Sequence, residues 1–512
     1  MKTFYDELTE RGLVDTLYGT TFKVVVPKGG KQFAMLIKRI IDNNLRVYID
    51  PDCDIDGYLA GLQLKTLFDA IGFNNYFIPM HSYKRHGVTV DMLSKYLNQD
   101  EFDVYFITDS SSANKDLFDY FLTRPELTMC LVDHHEVNFS RDVYSNTNVL
   151  LINPKWDSNE KGTTALTHEM SATAVLSLLI EFTVKTQFPE YHNNLDNRHW
   201  VYGYVSLYSD CCKLNAYNIA YVRKVLLGNY NVPPLLKLFM NKYNSLNRTF
   251  VEWTMNPRLN AILRDEYYKL AYDLFYNTST IDTEVIGQIE EIYKTSKLFV
   301  QSLANSATIE EHDKFVLGYL KSEPRSRNYT GLVASNLATK YNKPCVILMQ
   351  VSNNSYEGSV RDLYNRDLLS IFNLVMNANG HPPAFGVSIQ QDELSFALNM
   401  LDTLLNSIQN TVTNSCIMVD WSMYSSRDTQ LVNDIQLMVE YNEYSGNGLP
   451  VAFAKISLNH AMDIRRFPNL TRIKWGSMEF ISFDVPVFIG DEVVLQPSYP
   501  KTLVVKFAQR DN

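Results

Sequence analysis

The chain has 512 residues, 46% of them hydrophobic and 20% charged, with 47 Lys plus Arg against 57 Asp plus Glu. That length exceeds what one hydrophobic core supports, so two to four domains are expected, and the composition excludes a disordered chain. A net charge of −10 excludes a global positive field, so nucleic-acid binding would have to rest on local basic patches or bound metal.

The run Leu45-Arg46-Val47-Tyr48-Ile49 reads as a strand. A carboxylate-rich loop follows, and Tyr58 to Ile71 then has helical apolar spacing closed by Gly72. The same pattern recurs: Asp103 to Ile107 leads to Asp109, Thr128 to Val132 leads to Asp133, and Val149 to Ile152 ends at Asn153-Pro154. Short apolar strands alternating with helical stretches predict an α/β domain over residues 1–231 with a mostly parallel sheet. In such a sheet the chemistry gathers past the strand C-termini. Thr173 to Ile180 is the longest apolar stretch, and Glu181 ends it well short of a bilayer span. Residues 1–30 lack a continuous apolar signal core, so the expected setting is soluble, intracellular and cytoplasmic, with no membrane contact.

Strand signals fade over residues 232–310, where Glu284 to Leu303 is spaced like a long helix and reads as a helical connector. A second α/β domain is expected over 311–410, with strands at Phe315 to Leu320 and Pro344 to Met349 before the glycine-containing run Asn379 to Gly386. Residues 411–512 read as a β-rich domain with strands at Arg472 to Trp475, Glu479 to Phe483, Val487 to Ile489 and Thr502 to Phe507.

The densest chemical signal is Asp50-Pro51-Asp52-Cys53-Asp54-Ile55-Asp56-Gly57, four carboxylates in seven residues after a strand. Their mutual repulsion calls for cations. An acidic loop by itself is as readily a solvated turn or a helix cap. Asp109, Asp133-His134-His135 and Asp210 follow at further strand or helix ends, as convergence on one crevice requires. Carboxylates with an imidazole suit Mn²⁺ or Mg²⁺, and two such ions about 3.5 to 4 Å apart suit phosphodiester hydrolysis by water. The six cysteines, including the adjacent Cys211 and Cys212, contain no CxxC pair and form no disulfide framework. Those beside the motifs read as small packing residues without a catalytic role.

The order Asp52-x-Asp54-x-Asp56-Gly57, Asp109, Asp133-His134-His135, Asp210 resembles the four motifs of the DHH phosphoesterase superfamily. Asn379-Gly380-His381-Pro382-Pro383-Ala384-Phe385-Gly386 is similar to the signature of the associated DHHA1 domain, with Asn for its first Gly. Gly331 to Ser335 and Gly358-Ser359-Val360-Arg361 look like the segments preceding that signature in RecJ-type exonucleases.

The resemblance covers most of residues 45–400. It implies that Asp52, Asp54, Asp109, His134 and Asp210 hold two metal ions, Mn²⁺ favoured and Mg²⁺ the alternative, with Asp109 bridging. Asp133 would orient His134, and His135 would face the scissile phosphate. Relatives place a His shortly before the first motif; here Asp50 stands as the substitute ligand. Arg361, His381, Gly380 and Ser359 would bind the substrate phosphate from the second domain. Arg85, in Tyr83-Lys84-Arg85-His86, and the cluster Arg325, Arg327 and Tyr329 mix cations with aromatics as a single-strand path would.

The expected activity is therefore RecJ-like 5′ to 3′ hydrolysis of single-stranded DNA to mononucleotides, with a single-strand-binding protein or a helicase as partner. The 126 residues after Gly386 include a candidate for an oligonucleotide-binding barrel, which favours this activity over short oligoribonucleotides, phosphoadenosine phosphate or cyclic dinucleotides. A scaffold that kept the fold and lost the chemistry is the alternative from another class.

Overall fold

The computed structural model describes residues 2–97, 102–137, 148–157, 166–228, 230–240, 245–277, 284–362, 366, 368–381, 384–406, 416–422, 424–425, 428–446, 448–467, 470–476, 478–483, 486–498 and 502–510. Two compact units emerge: Met1–Pro257 with Tyr268–Ile281 and Cys416–Asn512, and Arg258–Tyr267 with Asp282–Ser415. Among the described residues no helix is long and apolar enough to cross a membrane.

The first unit contains a parallel sheet of β1 (Val47–Pro51), β2 (Tyr76–Phe77), β3 (Val104–Thr108), β4 (Thr128–Val132) and β5 (Val149–Ile152), in the order β2-β1-β3-β4-β5. Every residue of β1, β3 and β4 is buried, as expected for a parallel sheet covered on both faces. The helix Ile55–Ile71 leaves β1 directly and is buried almost all round against the helices Ala172–Gln187 and Arg198–Ser209. Gln63, fully buried, ties the three together: its Nε2 donates to Ser177 Oγ (2.8 Å) and to the carbonyls of His199 (2.8 Å) and Thr173 (3.3 Å).

The tail belongs to this same unit. Its mixed sheet comprises β12 (Cys416–Asp420), β13 (Val451–Ser457), β14 (Asp463–Phe467), β15 (Leu470–Trp475), β16 (Met478–Ser482), β17 (Asp491–Ser498) and β18 (Thr502–Arg510), in the order β12-β13-β17-β18-β16-β15-β14. It is joined to the N-terminal part by the Phe4 amide donating to Asp434, by the Tyr208 hydroxyl on the Glu443 carbonyl, and by the Arg248 amide on the Glu443 carboxylate. The expected strand Val487 to Ile489 is a loop. Gly490 turns there at φ 94°, and the Asp491 carboxylate accepts the Phe488 amide, which removes that amide from any ladder.

The second unit is built on β6 (Thr308–Glu311), β7 (Val316–Leu320), β8 (Cys345–Ser352), β9 (Ser355–Arg361), β10 (Asn377–His381) and β11 (Ala384–Gln390), in the order β10-β11-β9-β8-β7-β6. Alternation along β8 sends Val346 and Leu348 into one apolar core and Cys345 and Ile347 into another, so both faces are covered. Gly358 is required by a close approach: a Cβ there would lie 1.7 Å from the Ile347 carbonyl oxygen. The long helix Glu284–Ser306 is no free connector, because Val300 and Leu303 pack into the core shared with β7 and the helix Thr330–Tyr341. The region expected as a connector is thus divided between the two units.

Candidate metal centre

Strand register builds the site. Pro51 pairs with Thr108, Thr108 with Val132, and Val132 with Ile152, so the next residue on each strand falls in one row: Asp52, Asp109, Asp133 and Asn153. Backbone bonds extend the ladder into that row, Asp52 N to Thr108 O (3.1 Å), Asp109 N to Val132 O (2.9 Å) and Asp133 N to Ile152 O (3.0 Å). Parallel strands sit about 4.8 Å apart, so three carboxylates share one edge before any loop is considered.

Local turns then aim the donors. Gly57 lets the first turn of the helix Ile55–Ile71 lie over the Asp52 carbonyl, where a Cβ would come within 2.4 Å of the oxygen. Asp54 caps this helix through the Gly57 amide (3.0 Å). Asp109 adopts φ 63°, in the left-handed region that Asp and Asn enter more readily than other side-chain-bearing residues. One carboxylate oxygen from each of Asp52, Asp54 and Asp109 lies within 4.8 Å of the others, as do single donor atoms of Asp109, His134 and His135. His134 Nε2 is 3.3 Å from Asp109 Oδ1 and 3.3 Å from Asp210 Oδ2. The structure therefore gathers Asp52, Asp54, Asp109, His134 and Asp210.

Asp133 does not hold the His134 ring. Its Oδ1 accepts from His135 Nδ1 (2.8 Å) and from the His134 amide (2.7 Å), and its Oδ2 accepts from the Ser112 amide (3.0 Å). The imidazole it orients is His135, because Nδ1 of that ring reaches back over one residue to the buried carboxylate. Burial works against charge on both partners. Their attraction nonetheless holds Asp133 well below the usual carboxylate range and pushes His135 up to about 10. Asn153, the fourth member of the row, donates to Ser112 Oγ and to the His135 carbonyl, both at 2.9 Å.

Asp50 stays outside the donor groups. Its Oδ1 accepts from Arg85 Nη2 and its Oδ2 from the Tyr48 hydroxyl (3.2 Å), so both oxygens are committed to cancelling the cost of burial. The corrected role for Arg85 is equally internal: its guanidinium also donates to the Gly87 carbonyl, anchoring the segment 81–87 against the acidic loop. In that segment His81, kept neutral by burial with its pKa lowered to about 4, bridges the Tyr58 hydroxyl (3.0 Å) and the Pro51 carbonyl (3.1 Å). His86 Nδ1 lies 2.8 Å from Asp52 Oδ2, and the Gly87 amide donates to Asp52 Oδ1 (3.1 Å). Asp56, read with the acidic motif, turns inward and accepts the Ala172 (2.9 Å) and Thr173 (3.1 Å) amides at the start of the helix Ala172–Gln187.

The donor set fits divalent cations. Burial, and then the charges of Asp56, Asp54, Asp210 and Asp52, raise Asp109 well above the usual carboxylate range; burial and the charges of Asp56 and Asp54 raise Asp210 likewise. Asp109 is 1% exposed and its Oδ1 accepts no hydrogen bond. A buried oxygen left so is an anomaly that a cation removes.

No family model and no curated protein matches the chain by sequence. Comparison with solved structures gives a different result. RecJ from Thermus thermophilus, in complex with Mn²⁺, superposes with a TM-score of 0.70 at 16% identity, over 99% of this chain and 75% of that one; its Mg²⁺ complex gives 0.65 at 15% over the same shares. An exonuclease RecJ bound to manganese gives 0.55 at 17%, over 76% of this chain and 98% of its own. A DHH domain from a member of a family of ribosomal proteins gives 0.51 at 13%, over 79% and 97%.

The chain has a RecJ-like DHH/DHHA1 fold. Within the DHHA1-like unit, Arg361 ends β9 and lies over Gly331, with Nη1 donating to the Val360 carbonyl (2.7 Å). Ser359 Oγ is 2.8 Å from Thr330 Oγ1, and both line a cavity of about 330 Å³ with Arg327, Asn377 and Asn379. Gly380 takes φ 139° on β10, and the backbone of His381 ends that strand. Pro382 and Pro383 of the signature lie outside the described residues. Arg325 and Tyr329 are not a single-strand path. Arg325 forms a two-bond fork with Asp265 (2.7 and 2.8 Å) over the Phe299 ring, and Tyr329 is buried with its hydroxyl on Ser296.

Proposed function

We propose that the chain is a divalent-metal-dependent phosphodiesterase that shortens single-stranded DNA from its 5′ end to mononucleotides, in the manner of RecJ. The observation that carries this reading is the row of strand-end carboxylates, with Asp109 shared between the Asp52–Asp54 group and the His134 group. Asp52, Asp54 and Asp109 would hold one ion; His134 and Asp210, again with Asp109, would hold a second. Mn²⁺ is favoured over Mg²⁺ by the mixed oxygen and nitrogen donors. Bound there, the pair supplies neutralisation of the charge that develops on a phosphodiester attacked by water.

The residues of the chain supply the rest. Asp133 fixes the His135 ring through Nδ1, and this charged, half-exposed imidazole would meet a phosphate oxygen or a departing hydroxyl. His81, Arg85 and His86 hold the acidic loop in shape. Arg361, Ser359, Gly380 and His381 are the proposed phosphate contacts of the DHHA1-like unit, and a guanidinium fork suits that task. A single-strand-binding protein or a helicase would be the fitting protein partner.

The deciding experiment sets labelled single-stranded DNA, duplex DNA, RNA, dinucleotides and phosphoadenosine phosphate side by side with Mn²⁺ and the metal-free protein. Progressive loss from the 5′ end of single-stranded DNA, absent in Asp109→Asn, is expected. Preferential turnover of dinucleotides would replace the substrate, and equal rates with and without Asp109 would end the metal assignment.

A further inference from the structure

The helix Arg198–Ser209 ends in a reversal that the DHH resemblance does not account for. Asp210 N donates to Ser206 O (2.9 Å), Cys212 N to Leu207 O (2.9 Å), and Cys211 takes φ 52° between them. This left-handed cap on a residue with a side chain folds the chain back, so that Cys212 points to the same side as Asp210. Cys212 Sγ lies 3.4 Å from Asp210 Oδ2, and donor atoms of His134, Asp210 and Cys212 all fall within 4.8 Å of one another. Cys211 is exposed, whereas Cys212 is buried.

The donor chemistry is therefore unequal along the cluster. The Asp52–Asp54–Asp109 end is all oxygen. The other end offers imidazole nitrogen, carboxylate oxygen and sulfur, the set that thiophilic cations select. The distances agree with that preference. A tetrahedral zinc with ligands at about 2.0 Å (N, O) and 2.3 Å (S) has donor-to-donor edges of about 3.3 Å between N and O and about 3.5 Å between S and O. The observed edges are 3.3 Å for His134 Nε2 to Asp210 Oδ2 and 3.4 Å for Cys212 Sγ to Asp210 Oδ2. Asp109 Oδ1, buried and without a hydrogen bond, lies 3.3 Å from the same imidazole nitrogen, outside the group that His134, Asp210 and Cys212 form.

We infer that the second ion position is a thiophilic site in which Cys212 binds Zn²⁺-type cations through sulfur, beside a first position that is purely oxygen-ligated. The inference rests on the metal-centre reading above and adds a ligand to it. Binding breaks the Cys212 S–H bond, forms an S–metal bond and releases the proton to solvent, with no change of oxidation state.

The test is spectroscopic and needs no turnover. Co²⁺ titrated into the metal-free full-length protein should give visible d–d bands together with a sulfur-to-cobalt charge-transfer band in the near ultraviolet. The charge-transfer band should persist in Cys211→Ser and vanish in Cys212→Ser while the d–d bands remain. Competing Zn²⁺ should bind Cys212→Ser at least roughly tenfold more weakly. Should Cys212→Ser fail to fold, X-ray absorption of the zinc-loaded unsubstituted protein gives the same answer, through a sulfur shell at about 2.3 Å. Cobalt bands without a sulfur component, or a zinc shell of oxygen and nitrogen alone, overturn the inference and leave the metal centre standing. Absence of any cobalt band at equimolar metal overturns both.

Discussion

Replacing Asp109 by Asn separates the electrostatics of the cluster from its chemistry. Asparagine is the substitution of choice because Asp109 sits at φ 63°, where alanine would add about 1 to 2 kcal/mol of backbone strain unrelated to charge. Two like charges at 4.8 Å, the distance within which donor oxygens of Asp52, Asp54 and Asp109 all lie, repel by about 3.5 kcal/mol at an effective dielectric constant near 20, and closer ones by more. The raised pKa of Asp109 lets a proton offset part of this repulsion in the metal-free protein, so the variant should gain on the order of 1 to 3 kcal/mol in chelator. Saturating Mn²⁺ acts the other way. At a hundred times the dissociation constant it stabilises the unsubstituted protein by about 2.7 kcal/mol, and the variant, lacking the shared ligand, by far less. Thermal unfolding with and without Mn²⁺ should therefore show a crossing: the variant melts higher in chelator and the unsubstituted protein melts higher in metal. A variant that melts lower in chelator and gains as much from Mn²⁺ as its parent would refute the reasoning.

Three further outcomes are expected. Asp56→Ala removes the acceptor for two buried amides at the start of the helix Ala172–Gln187 and should cost about 2 to 3 kcal/mol in urea unfolding, uncorrected by Mn²⁺; a loss below about 0.5 kcal/mol would deny the cap. His135→Ala and Asp133→Asn should lower kcat by similar factors and the double variant by no more than either, since one residue acts through the other; additive losses would separate them. Burial opposes charge on Glu181, but bonds from His199 and Lys185 hold its pKa down at about 2, against 4.5 for the free side chain. Its contribution, about 3 kcal/mol at most, is complete above pH 4.5 and is lost as pH falls toward 2. The buried His199, with its pKa lowered, works in the same direction below 6.5, so Glu181→Gln should flatten the acid limb of stability against pH.

How much of this is legible in the sequence follows from what a parallel sheet demands. Asp52, Asp109 and Asp133 are the first polar residues after buried strands, and strand ends share an edge whatever the intervening loops do, so pattern alone carries their convergence. Asn153 obeys the same rule yet reads only as a strand end, because an amide carries no charge to attract notice. The choice made by Asp50 is not legible. Its partner Arg85 comes 35 residues later on a segment without a strong period. The attachment of Asp133 to His135 instead of His134 turns on the ring geometry of adjacent residues, which spacing does not encode. Arg325 and Tyr329 have the composition of a nucleic-acid path, but Asp265 and Ser296, distant in sequence, claim them for the interior. Val487 to Ile489 has strand composition over three residues only, too few to outweigh the turn at Gly490.

Because Asp52, Asp109 and His134 follow three different strands, no contiguous peptide of this chain carries the full chelating set. A cation with high affinity for it can be gripped only after β1, β3 and β4 have docked in register, so tight binding should appear late in refolding and should slow escape from the assembled sheet. The ion would then be a reporter of completed assembly, lost at once if any one strand slips by a single residue.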